Sequence, residues 1–226
     1  MTSPLDGLPH AATTTDPFTL ETGNRIVRVR VDGEIAAKQG AMVAYRGDLD
    51  FAYKGAGGVG RFIRKAVTGE GQDLMRVRGT GEVWLADAGN HLAVFRIGGE
   101  GLIVNGRNLV ALDQGMSYEI RRTSAGLGAM VAGGLFSTEV RGSGHVCVSC
   151  IGTPLVLPTD EEVHVDAEAA VCWTSQVQTE IKSTFKAGAL VGRSSGELFQ
   201  IRMSGTGGFV VVQAGEPAIT AVAPGQ

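Results

Sequence analysis

Val77-Arg78-Gly79-Thr80-Gly81-Glu82-Val83 is the stretch that decides the fold. Its central tripeptide recurs as Gly142-Ser143-Gly144 and Gly205-Thr206-Gly207, 63 residues apart each time (79 to 142, 142 to 205). A further glycine stands eight residues past each motif, at Gly89, Gly152 and Gly215. A fixed period of this length marks one structural unit written three times. The flanking residues keep the period: Val77, Val140 and Met203 precede the tripeptide, while Val83 and Leu85, Val146 and Val148, and Phe209 and Val211 follow it. Apolar residues at every second position make strands with one buried face. Each unit is therefore expected to hold a strand, a tight Gly-x-Gly turn and a returning strand. Such a hairpin turn demands positive φ, where a Cβ is penalised, so Gly79, Gly81, Gly142, Gly144, Gly205 and Gly207 are read as structural turn residues.

Working outward, Val27, Val29 and Val31 interleave with Arg28 and Arg30, and Met116, Tyr118 and Ile120 interleave with Ser117, Glu119 and Arg121. A second matched set, Val104-Asn105 with Val165-Asp166 and Glu119-Ile120 with Glu180-Ile181, suggests about four strands per unit. The first unit is irregular. It carries an insertion, Gly55 to Gly60, followed by Arg61-Phe62-Ile63-Arg64-Lys65-Ala66, the one place where a short helix is expected. With 34 glycines and 6% aromatic residues, the chain reads as all-β, a triplicated β-sandwich with internal pseudo-threefold symmetry. The boundaries expected are a disordered lead over 1–18, one domain over 19–215 in three repeats (19–89, 90–152, 153–215), and a tail over 216–226.

A formal net charge of −3 gives no whole-molecule attraction to a phosphate polymer, so nucleic acid is not an expected partner. Three cysteines, an odd number, do not make a disulfide framework, and a reducing compartment is the simpler reading. Met1 to Phe18 has neither a basic leader nor an apolar core. Apolar runs such as Ala187 to Val191 fall far short of the roughly 20 residues that cross a bilayer. The expected location is the cytoplasm, at most peripheral to the inner face of the membrane.

Lys38-Gln39-Gly40-Ala41-Met42-Val43-Ala44-Tyr45 with Gly47, then Thr68-Gly69-Glu70, and the paired segments Gly134 to Phe136 and Gly196 to Phe199 carry a resemblance. Together they resemble the altered-inheritance-of-mitochondria family over roughly Thr19 to Gln213. That family's fold is similar to the β-sandwich of the tryptophan RNA-binding attenuation protein. The resemblance implies a triplicated sandwich in one chain, further oligomerisation, an association with membrane organisation, and no established enzymatic activity. The first unit departs from the pattern, with Gln72-Asp73 where the others have Leu-Phe. RNA binding does not transfer with a fold.

Several motifs spell chemistry without its context. Gly55 to Gly60 satisfies G-x-G-x-x-G, but the chain returns at once to alternating strands and lacks the βαβ frame that would hold a dinucleotide. Gly192-Arg193-Ser194-Ser195-Gly196 spells a nucleophile elbow, yet a strand, not a helix, is expected after it. Ser183 to Lys186 spells S-x-x-K without partner motifs. Cys147-Val148-Ser149-Cys150 is a C-x-x-C. Residues three apart on a strand face opposite ways, which puts Cys150 inward with Val146 and Val148 and Cys147 outward, so a shared metal is not expected. His10 and His91 have no evident partner. Asp48 with Asp50 and Glu161 with Glu162 read as solvated pairs, not as a general acid and base. No catalytic residue, cofactor or metal ligand is assigned.

The remaining candidate is Arg61-Phe62-Ile63-Arg64-Lys65, two apolar side chains among three cations. Each cation near an anionic bilayer contributes about 1 kcal/mol, enough with two buried apolar groups for weak, reversible attachment. The alternative is that Phe62 and Ile63 fold back on the sandwich. The expected function is a non-catalytic structural or interaction protein that self-associates and presents a surface to proteins or membranes. The competing expectation is a small-ligand or carbohydrate-binding β module using clefts between units. The differing residues Trp84, Cys147 and Val210 at one repeated position weaken that alternative.

Overall fold

The computed structural model describes residues 17–53, 74–122, 136–183 and 199–215. Within them the chain is all-β, built from antiparallel sheets, and the single helical turn is the 3-10 turn Gly106–Asn108. The first part contains β1 (Phe18–Glu21) and three long strands, β2 (Ile26–Lys38), β3 (Met42–Tyr53) and β4 (Leu74–Leu85). β4 lies between β2 and β3 along its whole length. Phe18, assigned to the lead by sequence, begins β1 and is fully buried.

The next part uses six short strands: β5 (His91–Gly98), β6 (Leu102–Asn105), β7 (Leu109–Leu112), β8 (Ser117–Arg122), β9 (Phe136–Arg141) and β10 (Ser143–Cys150). β10 sits between β5 and β7, and β9 sits between β6 and β8. The last part has the same count: β11 (Leu155–Pro158), β12 (Val163–Asp166), β13 (Ala170–Thr174), β14 (Gln178–Ser183), β15 (Phe199–Ser204) and β16 (Phe209–Val212). There β16 sits between β11 and β13, and β15 between β12 and β14. Each short pair thus corresponds to one long strand of the first part, cut in the middle. Where the sequence suggests about four strands per unit, the first part has four and each later part has six.

The Gly-x-Gly motifs are not hairpin turns. Gly79 to Gly81 lie inside β4, with Gly79 opposite Gly33 of β2 and Gly81 opposite Gly47 of β3. Gly33, Gly47 and Gly79 all have positive φ (+115°, +98° and +124°), so three adjacent strands leave the extended conformation together. In the later copies the same motif carries the chain between sheets. β9 belongs to a six-stranded sheet and β10 to a seven-stranded one, while β15 belongs to a three-stranded sheet and β16 to the six-stranded one. The motif makes a corner, because glycine tolerates both the reversed φ and the close strand approach.

Two joins link the parts edge to edge. β7 pairs with β2 at Leu112 opposite Ala36 and Ala111 opposite Ala37. β13 pairs with β6 at Trp173 opposite Ile103 and Cys172 opposite Val104. Each join also sends side chains into the preceding core. The first core, around Val27, Val29, Val77 and Val83, takes in Leu92, Val94, Val110, Ala111 and Cys147. The second, around Phe95, Leu102, Val140 and Val146, takes in Val171, Cys172 and Val211. The third, around Val165, Trp173, Ile201, Met203 and Val210, contains only residues that follow Asp160, apart from Ile103 and Leu157 at its margin.

This arrangement corrects two readings. Cys147 is fully buried, because the face of β10 opposite Val146 is covered by the preceding core. After Gly207 the 63-residue period slips by one: Val210 lies opposite Trp173 as Val146 lies opposite Leu112, so Val210 is the inward residue and Phe209 and Val211 face the second core. An extra glycine, Gly208, causes the slip, and a one-residue shift exchanges the faces of a strand.

Candidate interaction surface

Lysine and arginine side chains of the described residues are largely spent on holding strands together. Lys38 Nζ lies 2.7 Å from Asp87 Oδ1, and the Ser149 hydroxyl donates to Asp87 Oδ2 at 2.5 Å. Asn108 Nδ2 donates to the Ser149 carbonyl (2.7 Å) and to Gln213 Oε1 (3.3 Å), and Gln213 Nε2 donates to the Glu168 carbonyl. This polar line ties the three parts together.

His145 Nδ1 is 2.9 Å from Asp113 Oδ2 and stacks on Phe18 with ring centroids 5.5 Å apart. Burial works to raise the Asp113 carboxyl, but hydrogen bonds from His145 and from the Gln114 backbone N–H outweigh it and hold the group below its ordinary value. His91, read as partnerless, contacts Asn24 Nδ2 at 3.3 Å, and burial followed by the charge of Arg25 lowers its pKa. Glu162 pairs with Arg202 at 2.5 Å, and that hydrogen bond holds its carboxyl low. Cys147, Cys150 and Cys172 are all free and buried. Burial pushes Cys150 up to about 12 and raises Cys147 and Cys172 as well, which makes poor nucleophiles of all three. Among the described residues no group of three His, Cys, Asp or Glu side chains could hold a metal. None of their helices is long and apolar enough to cross a membrane.

The surface that stands apart is the first half of β3 with the adjacent face of β4. Val43 and Tyr45 are 55% and 51% exposed, on a strand edge that has no strand partner among the described residues. Tyr45 meets Phe51 edge-on at 5.1 Å. Beside them the Arg46 guanidinium lies over the Trp84 ring at 5.6 Å and pairs with Glu82. Arg28 bridges Glu82 (2.6 Å) and Glu21 (2.7 Å), while the Trp84 indole N–H donates to Glu21 at 3.0 Å. Hydrogen bonds donated by Arg28 and then Arg46 hold Glu82 low, and donating to Glu21 and Glu82 raises Arg28. The result is an exposed apolar edge beside a locked, charged face.

In the sequence, Lys38 to Tyr45 stands out as a family mark. The signal for a surface was present: Ala41 to Tyr45 is apolar or small at five successive positions, which a strand with one buried face does not need. The predicted contact Arg61-Phe62-Ile63-Arg64-Lys65, the glycine run Gly55 to Gly60 and the segment Gly192 to Gly196 lie outside the described residues. Of Ser183 to Lys186, only Ser183 is described, at the end of β14.

Fold and surface together define a class: an all-β protein of several antiparallel sheets with an exposed apolar strand edge. Residues 18–215 match the family described as Mitochondrial biogenesis AIM24, and the chain belongs to that family. Among solved structures it is similar to protein SPYM3_0169 from Streptococcus pyogenes, at 22% identity with a TM-score of 0.72, covering 88% of this chain and 93% of that one. That likeness concerns the fold. No curated protein matches the chain.

Proposed function

We propose that this chain is a non-catalytic structural protein that self-associates and makes weak, reversible contact with anionic membrane surfaces from the cytoplasmic side. Its three parts are read as copies of one bent unit joined in succession, a triplicated β-sandwich similar to the attenuation-protein fold. One observation carries the reading: the large exposed apolar side chains gather at sheet edges, while the charged groups near them are locked in pairs and not aimed into a cleft. Membership of the AIM24 family, described by mitochondrial biogenesis, supports a role in organisation.

The membrane arm rests on Arg61-Phe62-Ile63-Arg64-Lys65. Co-sedimentation with vesicles of anionic and of zwitterionic lipid tests it. Wild type is expected to pellet with anionic vesicles at low salt and to be released by added salt. Phe62→Asp is expected to stay in solution. Equal pelleting of the two forms would remove the lipid arm, and saturable binding to an immobilised glycan would favour the ligand-binding module instead.

A further inference from the structure

The two joins within the chain define what a third would need. In each, a second-strand half of one part (β7 or β13) pairs with the first-strand half of the part before it (β2 or β6). By ladder position, the first half of β3 is equivalent to β7 and β13. Tyr45 lies opposite Val83 as Leu112 lies opposite Val146 and Trp173 opposite Val210; Ala44 lies opposite Trp84 as Ala111 lies opposite Cys147 and Cys172 opposite Val211. All three ladders shift register beside that point, setting apart Val43, Val110 and Val171. Likewise β12 is equivalent to β6 and the end of β2, because Val163 faces Met203 as Leu102 faces Val140 and Ile35 faces Val77. Among the described residues the chain therefore ends in two complementary edges, β3 and β12, with no strand on either.

Exposure follows the missing join. Val110 and Val171 are fully buried by theirs, whereas Val43 is 55% exposed. In the first two parts the strand segment at the ladder position of β11, the first half of β2 and then β5, is covered by side chains arriving with the next part. Phe209 stacks on Phe95 at 6.1 Å, and Val94 and Cys147 pack with Val27 and Val29. Among the described residues the third part has no such cover, and Leu155 on its outermost strand, β11, is 57% exposed. Val43, Tyr45 and Leu155 are the exposed large hydrophobics of the described residues, and a third join reaches all of them. Val43 would seat as Val110 and Val171 do. Trp84, at the position of Cys147 and Val211, would lie toward Leu155. Arg46, which pairs with Glu82, comes beside Glu162, which pairs with Arg202.

We infer that a second copy of this chain supplies the missing join: β3 of one molecule adds antiparallel to β12 of another, with Tyr45 opposite His164 and Ala44 opposite Val165. This gives the self-association proposed above a defined surface and rests on that part of the reading. Because the two edges differ, the contact is head to tail, and each added molecule presents a fresh free edge at either end. Assembly should therefore grow with concentration and not stop at a dimer.

Light scattering of the wild type across a concentration series comes first, followed by oxidation of Tyr45→Cys and His164→Cys, both exposed sites whose substitution leaves the cores intact. The wild type, with its three buried thiols, is the oxidation control. Mixing the two single variants is expected to give a disulfide-linked species of twice 23.5 kDa, absent when either is oxidised alone. The double variant is expected to give a ladder of higher species. If the double variant instead closes into a disulfide-bonded monomer, the edges meet within one chain and the second-copy assignment is overturned. Oligomers without cross-links overturn these edges and leave self-association standing. A wild type that is monomeric at every concentration overturns both.

Discussion

Replacing Gly79 by alanine tests the corner where the first three strands bend. A Cβ there would stand 2.0 Å from the Asp48 carbonyl oxygen and 3.1 Å from its carbon, both backbone atoms of the paired strand, at φ +124°. Holding a non-glycine residue in that conformation costs about 1–3 kcal/mol. Forcing the paired strand away adds about 1–3 kcal/mol, because packed neighbours yield only by distortion. The sum, roughly 2–6 kcal/mol, is a large share of the ~5–15 kcal/mol that holds a typical domain folded. Gly89→Ala is the control: φ is +74°, but no atom lies within 4 Å of the new carbon, so the conformational term of about 1–2 kcal/mol acts alone. Urea unfolding followed by tryptophan fluorescence separates the two, since Trp84 lies on the bent strand itself and Trp173 reports on the third core. A loss of about 4 kcal/mol would lower Tm by roughly 8–16 °C in a chain of this size. If Gly79→Ala is no less stable than Gly89→Ala, the close approach of β3 to β4 is not what fixes glycine at this corner.

Two further outcomes follow from buried groups. The Asp113 carboxyl is held below its ordinary value in the folded state, so it contributes stability that is fully present above the unfolded pKa and is lost as pH falls through the lower folded one. Asp113→Asn should therefore be less stable than wild type by a constant margin above about pH 4, a margin that closes on further acidification. A gap that persists unchanged at low pH in acid-titrated urea melts would contradict this. The thiols are expected to be silent in the native protein. Ellman's reagent at pH 8 should find almost none of the three cysteines until denaturant is added, and a rapidly reacting native thiol would contradict their burial beneath adjoining strands.

The strand character of the chain was legible because it depends on local alternation. Val77, Val140 and Met203 were read as one inward position, and all three are fully buried. The matched pairs Val104-Asn105 and Val165-Asp166 each end a four-residue strand, β6 and β12. What misled was the meaning of glycine. Gly-x-Gly between apolar strands reads as a hairpin, and here it lets a strand kink in place or pass to another sheet, because partner choice depends on strands far away in sequence. Cys147 failed for a related reason. Alternation marks one face of a strand as core, but a strand covered on both sides buries the other face as well, and no local pattern announces the second cover.

The candidate surface divides the same way. Sequence placed apolar residues at successive positions from Ala41 to Tyr45 and supplied the charges of Arg28, Arg46 and Glu82. It did not show that β3 ends a sheet. The amino-acid order by itself determined the all-β character, the 63-residue period and the residues that can turn a corner, since each depends on side-chain type at short spacing. Tertiary structure alone decided which sheet each half-strand joins, which faces are buried twice, and which strands among the described residues end a sheet. Those outcomes follow from long-range pairing, where hydrogen bonds form between segments whose order along the chain does not specify their neighbours.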